Sequence, residues 1–365
     1  MTIVLVLVIV VDGILFLRFA SLQEAAETVA PRPKEMPNWE PDGCFTFEAD
    51  FMGYSDALEG ESYRGTKVGG LSGLAYDHSR NVYYASADSG VESTPARFYT
   101  LKAPLEDGRL ADPVITDVTK LRNAQGEPFT GYDFDGEDIA LTRRDEILIA
   151  SETEPSIRKF SLDGHLLAEL PVPQKFLIKP KGYGRYNRTL ESLDLASNDD
   201  PALFTANEQP LTIDGSYPPE EGRPLRILRY EVRGSSGGFE PAQEFFYLTE
   251  PWSSVTEIAA LSERELLVLE KETRQIFRVS LDERSDVSGE ETLAASGAEP
   301  LEKELLVDLD YCEMPSDDEQ PYGALEGLEL GPELPKSRRM LLLISDDDFL
   351  ATHKTRTIAL GIRAQ

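Results

Sequence analysis

YYASAD (83–88), ILIASE (147–152), LFTANE (203–208), ELLVLE (265–270) and LLLISD (341–346) repeat one pattern, a run of mostly apolar residues closed by an acid. Each reads as a strand by composition. Thirteen to twenty residues before each closing acid a second, shorter strand begins: SGLAYD from Ser72, EDIALT from Glu137, ESLDLA from Glu191, EIAALS from Glu257 and EGLELG from Glu326. After each pair comes an alternating strand, RFYTL (97–101), IRKFSL (157–162), RILRYEV (226–232), QIFRVSL (275–281) and TRTIALGI (355–362). A fourth is legible in PVITDV (113–118), LAELPVP (167–173), EFFYLTE (244–250) and ELLVDLD (304–310).

Repeated units of four strands joined by turn-rich loops are the signature of propeller blades. The expected fold class is therefore all-β, a β-propeller of five blades; a sixth, degenerate blade would fall in 45–70 or 283–300. The last unit has no fourth strand after residue 362, and CFTFEADF (44–51) has no unit of its own. Pairing the two closes the ring and removes an open edge that would invite aggregation. A β-sandwich with the same strands has no reason to repeat one acid at one strand end.

In a blade the first strand lines the central tunnel and the second runs antiparallel beside it, so the start of one and the end of the other share a face. Ser72, Glu137, Glu191, Glu257 and Glu326 start the first strands; Asp88, Glu152, Glu208, Glu270 and Asp346 end the second. Nine carboxylates are thus expected around one mouth. Two unit charges about 6 Å apart at an effective dielectric near 20 repel by roughly 3 kcal/mol, so such a ring needs compensation. Hard cations with oxygen ligands, above all Ca²⁺, would supply it, as would a girdle of Arg and Lys or raised pKa values. The expected metal ligands are Asp88, Glu152, Glu191, Glu208, Glu257, Glu270, Glu326 and Asp346, and the basic candidates for neutralising the ring or holding an anionic substrate are Arg97, Arg158, Arg185 and Arg226. Taken singly, each acid is equally well explained as a hydrogen-bond acceptor within its own blade. A further acidic stretch, YDFDGED (132–138), has a calcium loop's density of carboxylates without the EF-hand spacing.

Composition narrows the function. With 66 Asp and Glu against 36 Lys and Arg the formal net charge is -30, which repels phosphate backbones and argues against nucleic-acid binding. Three histidines (His78, His165, His353) cannot build an all-histidine metal site, and Walker A, HExxH and CxxC motifs are absent. The one GxSxG, GSSGG at 234–238, lies in a polar turn before a strand, where a nucleophile elbow would need a strand before it and a helix after. Residues 3–19 (IVLVLVIVVDGILFLRF) are apolar apart from Asp12, Gly13 and Arg18, and a polar stretch follows. Residues 1–43 are expected to be a signal peptide or N-terminal membrane anchor with a polar linker, ahead of a globular domain at 44–365 outside the cytoplasm, periplasmic or secreted. Cys44 and Cys312 could form one disulfide there.

GGLSGLAYD (69–77), ASADSG (85–90), GRYNRTLESLDLA (184–196), LFTANEQPLTIDG (203–215), EIAALSERELLVLEKE (257–272) and LISDDDF (343–349) together resemble the phytase-like family, described by its esterase-like activity of phytase. The resemblance implies an exported β-propeller with calcium-assisted phosphoesterase activity. It also meets a departure, since no dense Lys and Arg cluster of the kind a hexaphosphate pocket needs is visible. The expected function is metal-assisted hydrolysis of a phosphate or carboxylic ester at the acidic mouth, with Glu137 or Glu191 as the candidate general base. The alternative is a non-catalytic propeller that binds a protein, a glycan or a metal ion.

Overall fold

A computed structural model of the chain describes residues 49–88, 94–196, 201–215, 219–233, 238–312, 314, 323–350 and 352–363, together with the backbone of a short hairpin, Ile9–Val11 with Ile14–Phe16. The chain divides into two units, 1–34 and 35–365. The hairpin belongs to the first; the rest of the apolar run at 3–19 lies outside the described residues, among which no helix is long and apolar enough to cross a membrane.

The second unit carries five four-stranded antiparallel blades among the described residues. Blade I is Leu71–Asp77, Val82–Ala87, Arg97–Lys102 and Val114–Lys120. Blade II is Gly136–Leu141, Glu146–Ser151, Ser156–Ser161 and Leu166–Leu170. Blade III is Leu190–Ala196, Ala202–Asn207, Pro224–Arg233 and Gly238–Leu248. Blade IV is Val255–Ala260, Glu265–Glu270, Gln275–Ser280 and Lys303–Asp308. Blade V takes Ala324–Leu334, Arg338–Asp346 and Thr357–Arg363 from the end of the domain and its outer strand, Ala49–Ser55, from the beginning. The ring-closing strand is thus where the sequence put it in kind but is shifted along the chain: it runs over 49–55, and the first residues of the expected 44–51, Cys44 among them, lie outside the described residues. Cys312 is buried and disulfide-bonded.

The five innermost strands touch their neighbours in a closed cycle, I to II, II to III, III to IV, IV to V and V to I. The core is correspondingly five apolar layers, one between each pair of adjacent blades. This arrangement explains why the second strands are apolar without alternation. In blade IV, Leu267 and Leu269 pack toward blade V while Leu266 and Val268 pack toward blade III, so a strand sandwiched on both faces has no solvent side to mark with polar residues. The layer between blades V and I joins Met52, Leu342 and Ala359 to Leu74 and Tyr83, and it seals the ring.

Candidate functional site

In every blade the innermost strand carries a register shift at its start, between Leu71 and Leu74, Gly136 and Ile139, Leu190 and Ser192, Val255 and Glu257, and Leu325 and Gly327. A bulge re-aims the side chain it frees, and here it turns Ser72, Glu137, Glu191, Thr256 and Glu326 to one mouth of the ring. The same registers pair Ala87, Ser151, Asn207, Glu270 and Ser345 with the residue before each bulge, so the residues just beyond them, Asp88, Glu152, Glu208, Lys271 and Asp346, complete the mouth.

Blade IV therefore departs from the sequence expectation by one residue on both strands. Thr256, not Glu257, holds the bulge position, and its hydroxyl donates to the Leu325 carbonyl at 3.2 Å. Lys271, not Glu270, closes the second strand. Glu270 is fully buried and accepts from the Tyr247 hydroxyl, the Glu250 amide and the Lys303 ammonium at 2.7, 2.8 and 2.7 Å, a structural acceptor between blades III and IV. Among the described residues these bulge and strand-end positions hold seven acids, Asp88, Glu137, Glu152, Glu191, Glu208, Glu326 and Asp346, in place of nine, and Asp135 lies beside Asp88 and Glu137.

At its centre, carboxylate oxygens of Glu137, Glu152 and Glu191 lie within 4.8 Å of one another, and so do those of Asp88, Asp135 and Glu137. Among the described residues no hydroxyl, amide or cationic donor reaches the buried Glu137 Oε1, Glu152 Oε2 and Glu191 Oε2, while the Glu137 and Glu152 carboxyls hydrogen-bond to each other; Glu137 Oε2 accepts from the Ser72 hydroxyl at 3.3 Å. Burial, then the charges of Asp88, Glu152, Glu191 and Asp135, push the Glu137 pKa well above the carboxylate range. Burial, then Glu208 and Asp88, push Glu152 to about 7. Burial, Glu208 and Glu152 act likewise on Glu191, and burial, Glu326 and Asp88 on Asp346. Two adjacent blades, II and III, bring three buried carboxylates together at one point, a donor set that fits a hard cation such as Ca²⁺.

Two cations share this mouth, and neither was among the expected basic residues. Arg188, in the loop before blade III, pairs with Glu208 at 2.7 Å and is half-exposed. Lys271 pairs with Glu326. Burial opposes the lysine's charge, but Glu326, Glu208 and Glu191 outweigh it and hold the ammonium above the ordinary lysine range. The four arginines named from sequence have partners of their own among the described residues. Arg97 is buried, bonding the Tyr99 hydroxyl at 2.8 Å and the Lys67 carbonyl at 3.3 Å. Arg158 covers the Phe129 and Phe134 rings at 5.2 and 4.7 Å. Arg185 donates to the Pro210 carbonyl at 3.1 Å. Arg226 is buried against Asp214 and Glu244, each at 2.8 Å.

One rung further in, Asp138 and Glu257 meet, and Gly73 makes the space: a Cβ there would stand 1.9 Å from Asp138 Oδ1. At the opposite mouth a cavity of about 270 Å³ is lined by Asp194, Glu329, Arg339, His78 and Tyr76 among others. Asp194 accepts from the Leu195 and Ala260 amides, both at 2.6 Å, and burial raises its pKa to about 6. Arg339 contacts His78 Nε2 at 3.4 Å, and burial, then Arg339's charge, lowers the histidine's pKa against the pull of Asp77 and Glu333.

A five-bladed propeller with a ring of buried carboxylates at one mouth defines the class. The chain belongs to the phytase-like family, described as esterase-like activity of phytase, which it matches over residues 66–349. No curated protein matches it. Solved structures that it resembles include a glucose dehydrogenase (14% identity, TM-score 0.37, covering 80% of this chain and 81% of that one), an aldose sugar dehydrogenase from Streptomyces coelicolor (15%, 0.36, 83% and 82%) and a virginiamycin B lyase from Staphylococcus aureus (12%, 0.35, 83% and 83%). Likeness this remote bears on neither activity nor substrate.

Proposed function

We propose that the acidic mouth is the active site of a calcium-assisted hydrolase acting on phosphate or carboxylic esters outside the cytoplasm. The observation that carries this reading is the convergence of Glu137, Glu152 and Glu191, from two blades, with a buried oxygen on each that no hydroxyl, amide or cationic donor among the described residues reaches. With Asp88 and Asp135 they are the residues that would hold the ion. Bound there, Ca²⁺ would neutralise charge on the ester and acidify a water molecule. The chain's own groups have separable tasks. Arg188, half-exposed at the rim, can meet an anionic ester oxygen without leaving the Glu208 carboxylate. Ser72 donates to Glu137 and fixes that carboxyl's orientation. Among the described residues, Arg188 and Lys271 are the cations paired with the mouth acids Glu208 and Glu326, which favours a substrate with a single anionic or neutral ester group over a polyphosphate. Export is supported by the apolar run at 3–19 and by the disulfide at Cys312, which needs an oxidising compartment.

The test is hydrolysis of a chromogenic phosphate monoester and a chromogenic acyl ester, each with added Ca²⁺ and with chelator. Calcium-dependent turnover of either, lost in Glu137→Gln, supports the reading. Calcium binding without turnover of a broad ester panel would instead assign the mouth to a binding propeller.

A further inference from the structure

The far end of the ring is built differently from the acidic mouth. The cavity of about 270 Å³ there takes wall residues from all five blades: Tyr76 from I, Leu141 from II, Asp194 from III, Ala260 from IV, and Glu329 and Arg339 from V. It therefore lies on the axis of the ring, beside the ends of the innermost strands of blades I to IV, whose starts form the acidic mouth.

The charged groups of this cavity are held in place, but not by one another. Asp194 accepts from the Leu195 and Ala260 amides, one on each oxygen, both at 2.6 Å. Glu329 Oε1 accepts from the Tyr76 amide at 3.4 Å. Arg339 donates through Nε and Nη2 to the Gly331 carbonyl at 3.3 and 3.1 Å, and Nη2 also meets His78 Nε2 at 3.4 Å. Among the described residues Arg339 forms no ion pair, with these two carboxyls or any other, and its Nη1 has no acceptor. A guanidinium has more donors, and a carboxylate more acceptor sites, than these bonds use, so both walls keep capacity for a ligand.

The charges are matched in number as well. Burial raises the pKa of both carboxyls, Asp194 to about 6 and Glu329 well above the carboxylate range with the Asp194 charge adding to the rise, while Arg339 acts against it on each. Near pH 7 the pair thus carries one negative charge, on Asp194, against one positive charge on Arg339. A ligand with a single charge would match one wall and meet the like charge of the other.

We propose that this cavity is a second ligand site, for a small zwitterion of the amino-acid type, which places its carboxylate on Arg339 and its ammonium on Asp194 with Glu329 as a further acceptor. The volume suits a molecule smaller than the drug-sized ligands that fill pockets of about 300–1,000 Å³. The edge-on rings of Tyr76 and His78, with centroids 4.7 Å apart, give the methylenes between the two charges an apolar wall. The site stands whether or not the acidic mouth binds an ion or turns over an ester.

The experiment is calorimetric titration of the full chain near pH 7 with glycine, β-alanine, γ-aminobutyrate and δ-aminovalerate. Acetate and propylamine serve as the two half-charged controls and glycerol as the neutral one. At least one zwitterion should bind, and its chain length reads out the span between the walls. Acetate and propylamine should each bind about tenfold more weakly or worse, since each forgoes a charge-assisted hydrogen bond. Arg339→Gln and Asp194→Asn, which remove one charge apiece, should weaken the best zwitterion by the same factor, and Glu137→Gln at the other mouth should leave its affinity unchanged. If a cavity variant does not fold, the panel on the wild type decides alone. Half-charged ligands or glycerol binding as tightly as every zwitterion, loss of zwitterion binding in Glu137→Gln, or binding of none of the panel overturns the proposal.

Discussion

Asp138 of blade II and Glu257 of blade IV face each other across the axis of the ring, carboxyl to carboxyl, and only a shared proton makes that contact favourable. Asp138 already accepts from the Ile139 and Leu193 amides, and Glu257 Oε1 accepts from the Ile258 amide at 2.7 Å. Glu257 Oε2 reaches no donor, so it must be the protonated oxygen that donates to Asp138. Burial, offset in part by these bonds, brings the Asp138 pKa to about 8, and burial with the Asp138 charge drives Glu257 well above its ordinary value.

The pair makes stability depend on pH in a direction opposite to the usual surface carboxylate. A carboxyl whose folded pKa is raised contributes stability that is complete below its unfolded value near 4 and is lost as pH climbs through the folded value. For Asp194 that window ends at about 6 and for Asp138 at about 8. In chelator, the melting temperature should fall steadily between pH 4.5 and 8. Glu257→Gln keeps the acceptor for Ile258 and puts a permanent donor against Asp138, so it should be at least as stable as the wild type at pH 8 and show a shallower fall. A variant destabilised equally at every pH would contradict the shared proton.

Calcium should act at the mouth and not one rung below. Saturation at about a hundred times the dissociation constant adds roughly 2.7 kcal/mol, a rise of a few degrees in melting temperature for a domain of this size. Mg²⁺ should do less, since it sheds water reluctantly and insists on octahedral geometry. Glu137→Gln and Glu152→Gln should abolish the increment; Glu257→Gln and Glu270→Gln should leave it intact. Thermal melts with calcium and with chelator separate the two pairs, and a loss in the second pair would refute the register of blade IV.

That register marks the limit of what the sequence displays. Blade number and ring closure are legible because each second strand is buried on both faces and so written as a continuous apolar run, closed where the chain emerges at the mouth. Blade IV misleads because glutamates occupy 257 and 270, the positions adjoining the true ones. The signal for the right phase is present: Ile139 and Ile258 follow Asp138 and Glu257, and Glu146 and Glu265 open the two second strands opposite Ser161 and Ser280, which aligns Lys271 with Glu152. Arg188 carries no such signal, because it sits in a loop outside the repeat. Arg226 misled for another reason: its partners Asp214 and Glu244 are 12 and 18 residues away, on a loop and a neighbouring strand, so nothing local marks it as buried.

Ring closure depends on a strand from the far end of the chain. Ala49–Ser55 pairs with Thr357–Arg363, the Thr357 hydroxyl donating to the Ser55 carbonyl at 3.2 Å, and Met52 enters the layer between blades V and I. Just beyond, buried Arg356 is held by Asp56 at 2.5 and 2.7 Å. Deleting 49–55 should leave blade V with an open edge and abolish cooperative melting by circular dichroism. Asp56→Ala, which removes both Asp56 hydrogen bonds from buried Arg356, should lower the melting temperature by a few degrees while the ring stays closed. A truncated chain that melts like the wild type would show the closure to be dispensable.

Arg226 and Arg188 give opposite outcomes on substitution, because one is a core ion and the other a rim ion. Arg226 is 2% exposed; it grips Asp214 through Nε and Nη2, both at 2.8 Å, and Glu244 through Nη1 at 2.8 Å, and it also reaches the Glu290 and Glu291 carbonyls. Asp214 and Glu244 are themselves buried, so Arg226→Met strands the Asp214 carboxylate in the interior with only the Leu293 amide and leaves Glu244 to Lys175 alone, a loss of roughly 3–5 kcal/mol. At two to four degrees per kcal/mol that is about ten degrees in melting temperature, with KM for a chromogenic ester unchanged in the fraction still folded. Arg188→Met removes a half-exposed guanidinium from a buried Glu208 that still feels Lys271, so it should cost less stability than Arg226→Met and raise KM for an anionic ester more than for a neutral one. Melting curves and initial rates on both variants decide the matter: if Arg226→Met leaves stability intact and raises KM, the substrate-holding role belongs to Arg226 after all, and the assignment of Arg188 fails with it.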